Sequence, residues 1–462
     1  MNNKTGQTIR TMSQTDAYML IVGNVIGIGI FTTTGYIASF TSSPLVLLFL
    51  WLIGGALAFS GVVTYAELAS RFPKAGGDFH YLTHAYHPAL GFFFGWSAFV
   101  VTYTGSIAVI AVGFSHYFLN LIPPEWQAVR FQLGGAVFSI PYLKIVAILI
   151  ILIITWINAR GVRPGTRWQK IFTLLGIGIL LLFILLGLSS EAGSWQNLVP
   201  LLRGKPTIGD LVGSGAALAA IFFTYAGWTA IVYVAGEVRD PRQTIHLALT
   251  KGILTVVFLY FIINIVYLYA QPIRDMKNVV DIGYRSLLIL RGSQWSTFFS
   301  LMIMIAVLST LNATIMSGSR IYYAMARKGQ FFPFCGRLHP RFRVPCWALW
   351  LQAGWTILLV LSGSFNQLLS YTVFIMLCFA FLASVSIFVL RWRKKSEPPP
   401  YSAWGFPYTS LFFSLGTLWI LINTFISHPT QSLMGIGVIL VGIPFYFYFN
   451  RWKTGKSNGV ME

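Results

Sequence analysis

Charged residues are scarce in this sequence. Only 10% of its 462 residues are Asp, Glu, Lys or Arg, whereas soluble domains carry about 25%. Hydrophobic residues make up 56% of the chain, and its mean hydropathy is +0.70. Such a chain cannot cover a water-facing surface in the usual way. The composition therefore excludes a soluble enzyme, a disordered protein and a disulfide-rich secreted domain, and it predicts an integral membrane protein.

Cysteine is also rare. Cys335, Cys346 and Cys378 are odd in number and far apart, so the sequence predicts neither a disulfide framework nor a CxxC metal site. The polar N-terminus runs into a long apolar segment without a small-residue cleavage site, so we predict no removable signal peptide. We also predict no cofactor.

Long apolar runs, in contrast, are abundant. A helix that crosses a membrane needs about 20 apolar residues. The runs are continuous rather than alternating, which favours helices over the strands of a barrel. We therefore predict an all-α integral membrane fold whose twelve transmembrane helices lie at 16–40, 44–70, 91–118, 144–158, 171–188, 211–235, 251–270, 296–325, 346–362, 366–390, 408–426 and 432–450.

Basic residues predict the orientation of these helices. The chain has 32 Lys and Arg against 12 Asp and Glu, a net charge of +20, which on a soluble protein would indicate nucleic-acid binding. With twelve helices, roughly three quarters of the basic residues fall on the side of the N-terminus, and the positive-inside rule makes that side cytoplasmic. We predict cytoplasmic termini, a bacterial-type plasma (inner) membrane, the lipid bilayer as partner and no nucleic acid.

Two of the predicted helices contain sequence that weakens a helix. Segment 23–29 (GNVIGIG) has three glycines in seven residues, and segment 223–228 (FTYAGW) interrupts the sixth helix. Broken backbone at membrane depth is tolerated where it lines a cavity. In transporters built from inverted repeats, the broken first helix of each repeat binds the substrate. Because these two helices stand five apart, we favour a binding site over close helix packing.

Five motifs, in order, resemble those of the amino acid–polyamine–organocation (APC) superfamily of transporters, and within it the L-amino-acid-transporter-like branch. They are GNVIGIGIF (23–31), YAELASRFPKAGGD (65–78), NARGVRPG (158–165), FTYAGW with GEVRDP (223–228 and 236–241) and SRIYYAMARKG with HPRF (319–329 and 339–342). The resemblance covers nearly the whole chain.

This resemblance implies the LeuT fold with a 5+5 inverted repeat. The single transmembrane domain would span 1–450, with repeat one at 16–188, repeat two at 211–390, two peripheral helices at 408–450 and a cytoplasmic tail at 451–462.

The resemblance also implies a substrate site at the two interruptions. Backbone amides of 26–29 would bind the substrate carboxylate, and carbonyls of 223–226 would bind its ammonium group. Phe223 resembles the aromatic residue that covers the substrate, and Phe223 and Trp228 are the candidate gate, with helix packing as the alternative for both. The predicted substrate-binding residues are Ile26, Gly27, Ile28, Gly29, Phe223, Thr224, Ala226 and Gly227.

The twelve acidic residues suggest the class of substrate. None falls in the middle of a predicted helix, and Lys and Arg avoid the helix centres too. We therefore expect a cavity without a carboxylate and a secondary active transporter, permease or exchanger, of neutral L-amino acids. A carrier of cationic amino acids or polyamines is the alternative, because aromatic side chains accept cations. A membrane enzyme is less favoured, because no catalytic motif lies in the membrane, and a non-transporting sensor with this fold is a further, less favoured alternative.

The coupling ion, Na⁺ or H⁺ or none, is left open. Many members of the branch that this chain resembles carry a lysine on the fifth helix, and its ammonium group occupies the position of a sodium ion. In this chain, Gly176 follows the stretch IFTLL at the corresponding position. The polar side chains Ser309, Thr310 and Asn312 could bind such an ion, or they could equally well form hydrogen bonds to backbone carbonyls of their own helix. The candidate cation site comprises Gly23, Ile26, Gly176, Ser309, Thr310 and Asn312.

Three histidines occur in the loop 71–90. His80, His84 and His87 are spaced to share one face of a helix, and a metal site or a pH sensor is one interpretation. We favour an interfacial amphipathic helix that faces the cytoplasm. The sequence predicts neither the presence nor the absence of a partner subunit.

Overall fold

Helices dominate the structure, which is a computed structural model. It describes residues 12–73, 76–122, 128–133, 136–161, 166–199, 208–233, 235, 238–342, 344–363, 365–393 and 398–457. In the first half, the helices are α1 (Gln14–Val25), α2 (Ile28–Ile37), α3 (Pro44–Arg71), α4 (Asp78–Ala85), α5 (Pro88–Ser97), α6 (Tyr103–Leu119), α7 (Tyr142–Ala159) and α8 (Thr166–Leu188).

The second half continues with nine helices. They are α9 (Ile208–Tyr225), α10 (Ala230–Tyr233), α11 (Pro241–Ala270), α12 (Ile282–Arg291), α13 (Ser293–Arg327), α14 (Cys346–Ser362), α15 (Phe365–Arg393), α16 (Tyr408–Ser427) and α17 (Pro429–Ser457). Short 3₁₀ turns lie at Trp195–Leu198, Ala226–Thr229, Ile273–Met276 and Pro333–Gly336, and a π turn at Ala98–Thr102 joins α5 to α6.

Among the described residues, eleven helical segments are long and apolar enough to cross a membrane. Three of them, Gln14–Ile37, Pro88–Leu119 and Gly213–Tyr233, each combine two consecutive helices. The predicted helix at 346–362 corresponds to α14, which is apolar but has only 17 residues. The chain is therefore an integral membrane protein, and eleven of the twelve predicted segments coincide with helices of membrane-spanning length.

One hairpin departs from the predicted all-α fold. Strand β1 (Ala128–Leu133) pairs antiparallel with β2 (Ala136–Pro141), with Ala128 opposite Pro141. The hairpin lies between α6 and α7, in the connection between the predicted helices at 91–118 and 144–158. Each strand alternates apolar and polar residues only briefly, a pattern too short to separate from loop sequence.

The first helix begins at a capping box. Ser13 Oγ accepts a hydrogen bond from the Asp16 amide, and Asp16 Oδ2 accepts one from the Ser13 amide at 2.8 Å. The same carboxylate pairs with Lys170 on α8 at 2.7 Å. These contacts hold α1 against α8, and thereby fix the helix that leads into the first interruption.

A buried carboxylate joins α3 to α15. Glu67 is fully buried and accepts hydrogen bonds from Arg71 and Arg391, the latter from Nε at 2.9 Å, and from the Ala403 amide at 2.8 Å. The Arg391 guanidinium also lies 3.7 Å from the centre of the Phe406 ring. A buried charge without such partners would be strongly destabilising, so this cluster fixes the end of α3 to α15 and to the segment that follows it.

The short helix α4 turns inward. Gly76 and Gly77 have φ of 117° and 44°, values that favour glycine, and they reverse the chain after α3. Six of the eight residues of α4 are buried, and His80 is only 8% exposed. The predicted interfacial amphipathic helix is therefore wrong, because Phe79, Tyr81 and Leu82 pack into the protein rather than along a membrane surface.

Candidate functional site

The first interruption lies between α1 and α2. Ile26 ends α1, and Gly27 is extended, with φ −138° and ψ −156°. Among the residues that the structure describes, no side chain caps the start of α2, and the first amides of a helix have no partner within it. The Ile28 and Gly29 amides therefore lie at the positive end of a helix dipole, where anions bind favourably.

The second interruption follows α9. The α-helix ends at Tyr225, continues as the 3₁₀ turn Ala226–Thr229 and resumes as α10. Thr229 Oγ1 donates to the Ala226 carbonyl at 3.0 Å. Where the backbone tightens into this turn, the last carbonyls of α9 lose their regular i+4 partners, and they lie at the negative end of its dipole. The end of α9 is therefore suited to a cationic group.

Glycines let the two interruptions touch. A Cβ atom on Gly227 would clash with the backbone of Asn24, and one on Gly29 would lie 2.7 Å from Thr224 Cγ2. Thr224 Oγ1 also donates to Thr33 Oγ1 at 3.0 Å, which fixes α9 against α2. Close approach of these backbones requires residues without side chains.

A cavity of about 150 Å³ lies between the interruptions. A cavity of roughly this size in another protein binds benzene, so this one suits a small organic molecule. Residues of α6, α13 and α15 complete its wall, among them Ser106, Thr314 and Phe379. The predicted substrate-binding and gate residues that line it are Gly27, Ile28, Gly29, Phe223, Thr224, Ala226, Gly227 and Trp228, and Thr310 of the predicted cation site lines it too.

Ile26 is placed differently from the sequence-based expectation. Its amide donates to the Val22 carbonyl at 2.8 Å and so completes α1, which leaves it unavailable to a substrate carboxylate. Neighbouring Ile28 lines the cavity, but its side chain packs against Gly113 of α6. Gly113 therefore provides room for the bulk of Ile28 outside the cavity.

The two candidate gate residues differ in their surroundings. Phe223 is half-buried and lines the cavity. Trp228 is 3% exposed and packs edge-on against Tyr65, with the ring centres 4.9 Å apart. Trp228 is therefore held by an aromatic neighbour, whereas Phe223 borders the open space.

The expectation that the cavity lacks a carboxylate is wrong. Asp78, at the start of α4, lines the cavity and is 5% exposed. Tyr233 donates to Asp78 Oδ2 at 2.8 Å, and Oδ1 has no hydrogen-bond partner within the described part of the chain. Burial raises the pKa of Asp78 to about 6, although the hydroxyls of Tyr233 and Tyr65 oppose the rise. In the sequence, the pair Gly76-Gly77 before Asp78 is the one sign that the chain turns toward the cavity at this point.

Two further polar features of the cavity were not predicted from the sequence. Asn24 lines the cavity at 6% exposure, and neither its Oδ1 nor its Nδ2 has a hydrogen-bond partner among the described residues. The π turn Ala98–Thr102 also brings Thr102 to the cavity wall. Such turns within membrane helices occur frequently at functional sites.

Part of the predicted cation site converges on α13. Thr310 Oγ1 lies 3.3 Å from the Ile26 carbonyl and 3.5 Å from that of Gly23. Gly176 lies beside them, since a Cβ atom there would be 3.5 Å from Ile26 Cγ2. Three oxygen atoms thus lie within reach of one small cation.

The other two predicted residues of that site do not join it. Asn312 Oδ1 accepts from Asn158 Nδ2 of α7 at 2.7 Å, so its oxygen is held away from the α1 carbonyls. Ser309 is half-buried and forms no hydrogen bond to Gly23 or Ile26 in the described structure. No group of three His, Cys, Asp or Glu suited to a metal occurs among the described residues.

Comparisons with known proteins agree on one family. The amino acid permease family matches residues 12–445. The mouse (Mus musculus) Asc-type amino acid transporter 1 is 30% identical over 95% of this chain and 81% of its own length. The serine/threonine exchanger SteT of Bacillus subtilis (strain 168) is 27% identical over 95% of this chain and 96% of its own. The mouse large neutral amino acids transporter small subunit 2 is 28% identical over 94% of this chain and 80% of its own length.

All three relatives are named as transporters or exchangers, and none as an enzyme. The match to the family covers nearly every helix described above, including both interruptions. The chain belongs to the amino acid permease family of the APC superfamily, in its L-amino-acid-transporter-like branch.

Proposed function

We propose that this chain is a secondary active transporter that moves neutral L-amino acids by alternating access. The observation that carries the proposal is the cavity of about 150 Å³ bordered by both interruptions. One side offers the start of α2 to an anion, and the other offers the end of α9 to a cation. An amino acid carries both charges, so a zwitterion matches the two ends.

In this arrangement, the amides of Ile28 and Gly29 bind the carboxylate, and the carbonyls that end α9 bind the ammonium group. Phe223 covers the bound substrate, and Trp228 supports the closed state through its contact with Tyr65. The substrate side chain lies toward α6, α13 and α15, which form the remaining wall.

The size and polarity of the cavity favour small polar substrates. The unpartnered carboxamide of Asn24 offers a donor and an acceptor to a hydroxyl-bearing side chain. Relatives named for Asc-type and serine/threonine transport are consistent with this choice. The name of the large neutral amino acid relative makes leucine and phenylalanine the comparison substrates.

We propose twelve transmembrane helices in the LeuT arrangement, with α14 as the ninth. Repeat one then comprises 16–188 and repeat two comprises 211–390, each beginning with an interrupted helix. Helices α16 and α17 are peripheral, and both termini are cytoplasmic in a bacterial-type inner membrane, which the distribution of basic residues supports.

For coupling, we place a cation between the carbonyls of Gly23 and Ile26 and Thr310 Oγ1. Many members of the branch carry a lysine here, and its ammonium group takes the place of the ion. Gly176 has no such group, so Na⁺ is the first candidate for this position. We propose no cofactor and assign no partner subunit.

A cationic amino acid is the second candidate substrate, and Asp78 is the observation that favours it. Its carboxylate lines the same cavity, and Oδ1 is unpartnered. An ammonium or guanidinium side chain would pair with it.

Transport by the purified full-length protein in proteoliposomes tests the proposal. Vesicles loaded with unlabelled amino acid should accumulate labelled serine, alanine or threonine by counterflow, with and without Na⁺ and a pH gradient. Competition by lysine or arginine, but not by serine, would favour the second candidate. Absence of counterflow for every amino acid would refute the proposed function.

A further inference from the structure

We propose that Asp78 is a proton-binding site, which takes up and releases H⁺ as the transporter changes conformation and so couples proton movement to amino acid transport. This inference rests on the proposed transport function and adds to it the residue that binds the proton. It concerns a group separate from the carbonyl and hydroxyl oxygens around Thr310.

The location of Asp78 supports this role. The side chain belongs to α4, outside the membrane-spanning helices, yet the turn at Gly76 and Gly77 brings it to the wall of the cavity. A Cβ atom on Gly77 would lie 2.8 Å from Tyr233 Cε1, so the close packing of this turn against α10 determines where the carboxylate lies. A proton at this position is next to the substrate space.

The groups that face Asp78 are mostly neutral hydroxyls. Tyr65 of α3, Tyr81 of α4, Tyr103 of α6 and Tyr233 of α10 surround the carboxylate, and Tyr233 donates to Oδ2 at 2.8 Å. Phenols lose their proton only near pH 10, so none of them neutralises a carboxylate. Hydrogen bonds from the tyrosine hydroxyls stabilise the ionised form of Asp78, but they do not neutralise its negative charge.

Charged neighbours are engaged elsewhere. Lys328 of α13 lies with Nζ 4.5 Å from the centre of the Phe79 ring, and the Glu67 carboxylate is held by Arg71 and Arg391. His80 follows on α4, with its ring against Phe79. Within the described part of the chain, no salt bridge to Asp78 occurs.

These surroundings let conformation control the proton. In the structure, burial raises the pKa of Asp78 to about 6, so a proton binds as the pH falls through that value. When the surrounding helices separate and admit water, the pKa should return toward about 4, the ordinary value for Asp. The proton therefore binds from the solution on the side where the amino acid enters, as the helices close around both. It leaves to the solution on the other side when the helices open there and the pKa falls. One proton is bound and one is released in each cycle.

Proton flux and counterflow, measured in the same proteoliposomes, separate this inference from the proposed function. Addition of a transported amino acid should acidify the lumen of wild-type vesicles that contain a pH-sensitive dye. Asp78→Asn should lose the amino-acid-induced acidification, and counterflow measured in the same vesicles shows how much transport the variant keeps for that comparison. Its uptake should also lose the rise, roughly 25-fold, expected between pH 7.5 and pH 5.5 as the protonated fraction of a group with a pKa of about 6 increases.

Matched variants identify the group that titrates. Asp275→Asn removes an exposed carboxylate, and His80→Gln removes the neighbouring imidazole; both should keep the proton flux and the pH profile. Asp78→Glu should keep a titration with a shifted midpoint. Infrared spectroscopy should show a protonated carboxyl band that titrates near pH 6 in wild-type protein and is missing in Asp78→Asn, whether or not an amino acid is present.

Two outcomes would overturn the inference. In the first, wild-type protein performs counterflow without proton movement, and Asp78→Asn has the same pH profile as wild type. This outcome would leave the proposed transport function intact. The other is an infrared spectrum in which Asp78→Asn loses no band between pH 5 and pH 7. A missing counterflow in every variant would instead refute the proposed function itself, and the infrared titration would still decide whether Asp78 binds a proton.

Discussion

Gly227 packs directly on the backbone of Asn24, so closely that a Cβ atom on the glycine would overlap the Asn24 carbonyl. This contact joins the interruption of the first membrane helix to the interruption after α9. Because the obstructing atoms are backbone, a side chain at 227 can be accommodated only if the two helices move apart. The contact therefore determines the width of the cavity.

Gly227→Ala should reduce transport by about tenfold or more. The added methyl group separates the two interruptions, and overpacking of this kind costs about 1–3 kcal/mol. Initial rates of counterflow measure the effect. Gly178→Ala on α8, where a Cβ atom meets no other atom within 4 Å, is the matched control, and equal rates in the two variants would contradict the account.

Gly27→Leu should abolish substrate binding. A Cβ atom at this position already lies 2.7 Å from Thr310 Oγ1, and a leucine side chain would extend across the amides that start α2. Binding of labelled substrate to purified protein gives the readout, with Gly354→Leu on the exposed face of α14 as control. Retained binding would refute the proposed carboxylate site.

Phe223→Ala should weaken apparent substrate affinity about tenfold, or about 1.4 kcal/mol, while the protein remains folded. The ring borders the cavity, so its loss uncovers the substrate without opening the core. A concentration series of uptake gives the KM, and Phe258→Ala on α11, where the ring is 65% exposed, should behave as wild type. Unchanged kinetics in Phe223→Ala would make Phe223 a packing residue.

Gly176→Lys should reduce any stimulation of uptake by Na⁺. The new side chain has room, because only Ile26 Cγ2 lies within 4 Å of the added Cβ, and its ammonium group would compete for the oxygens near Thr310. Uptake is measured with Na⁺ or choline outside, and Gly176→Met controls for size without charge. Undiminished Na⁺ stimulation in Gly176→Lys would contradict the placement of the cation.

Arg391→Gln should lower thermal stability more than Arg393→Gln. Arg391 bonds the buried Glu67 through two nitrogens, whereas Arg393 is exposed. Hydrogen bonds to charged groups contribute about 1.5–3 kcal/mol, and the remaining bonds from Arg71 and the Ala403 amide limit the loss. Melting in detergent, followed by gel filtration, should rank the variants; equal melting temperatures would argue against a stabilising role for the cluster.

Sequence patterns predicted the membrane helices and their interruptions well, because both depend on local composition. Apolar runs of fixed length identify helices in lipid, and the glycines of 23–29 weaken the helix at the residues where α1 ends and α2 begins. The family resemblance placed Phe223 and Gly227 beside Gly27 and Gly29, and the structure brings these residues to one cavity.

Long-range packing explains what the sequence could not predict. Whether α4 lies on the membrane surface or inside the protein depends on the partners of Phe79 and Tyr81, which no local pattern specifies. The same holds for Asn312, whose oxygen could face α1 or α7 and in the structure bonds Asn158. Asp78 was assigned to a loop for this reason, and the carboxylate of the cavity was missed.

Protection of a single cysteine by substrate tests the central claim, that the amino acid occupies the cavity between the two interruptions. Ala313 on α13 lines this cavity, so Ala313→Cys, in a chain whose three native cysteines are replaced, should react with a methanethiosulfonate reagent. A saturating transported amino acid should slow that reaction severalfold and leave the reaction of Ala326→Cys, near the end of the same helix, unchanged. Equal rates at position 313 with and without substrate, in protein that still performs counterflow, would contradict the account.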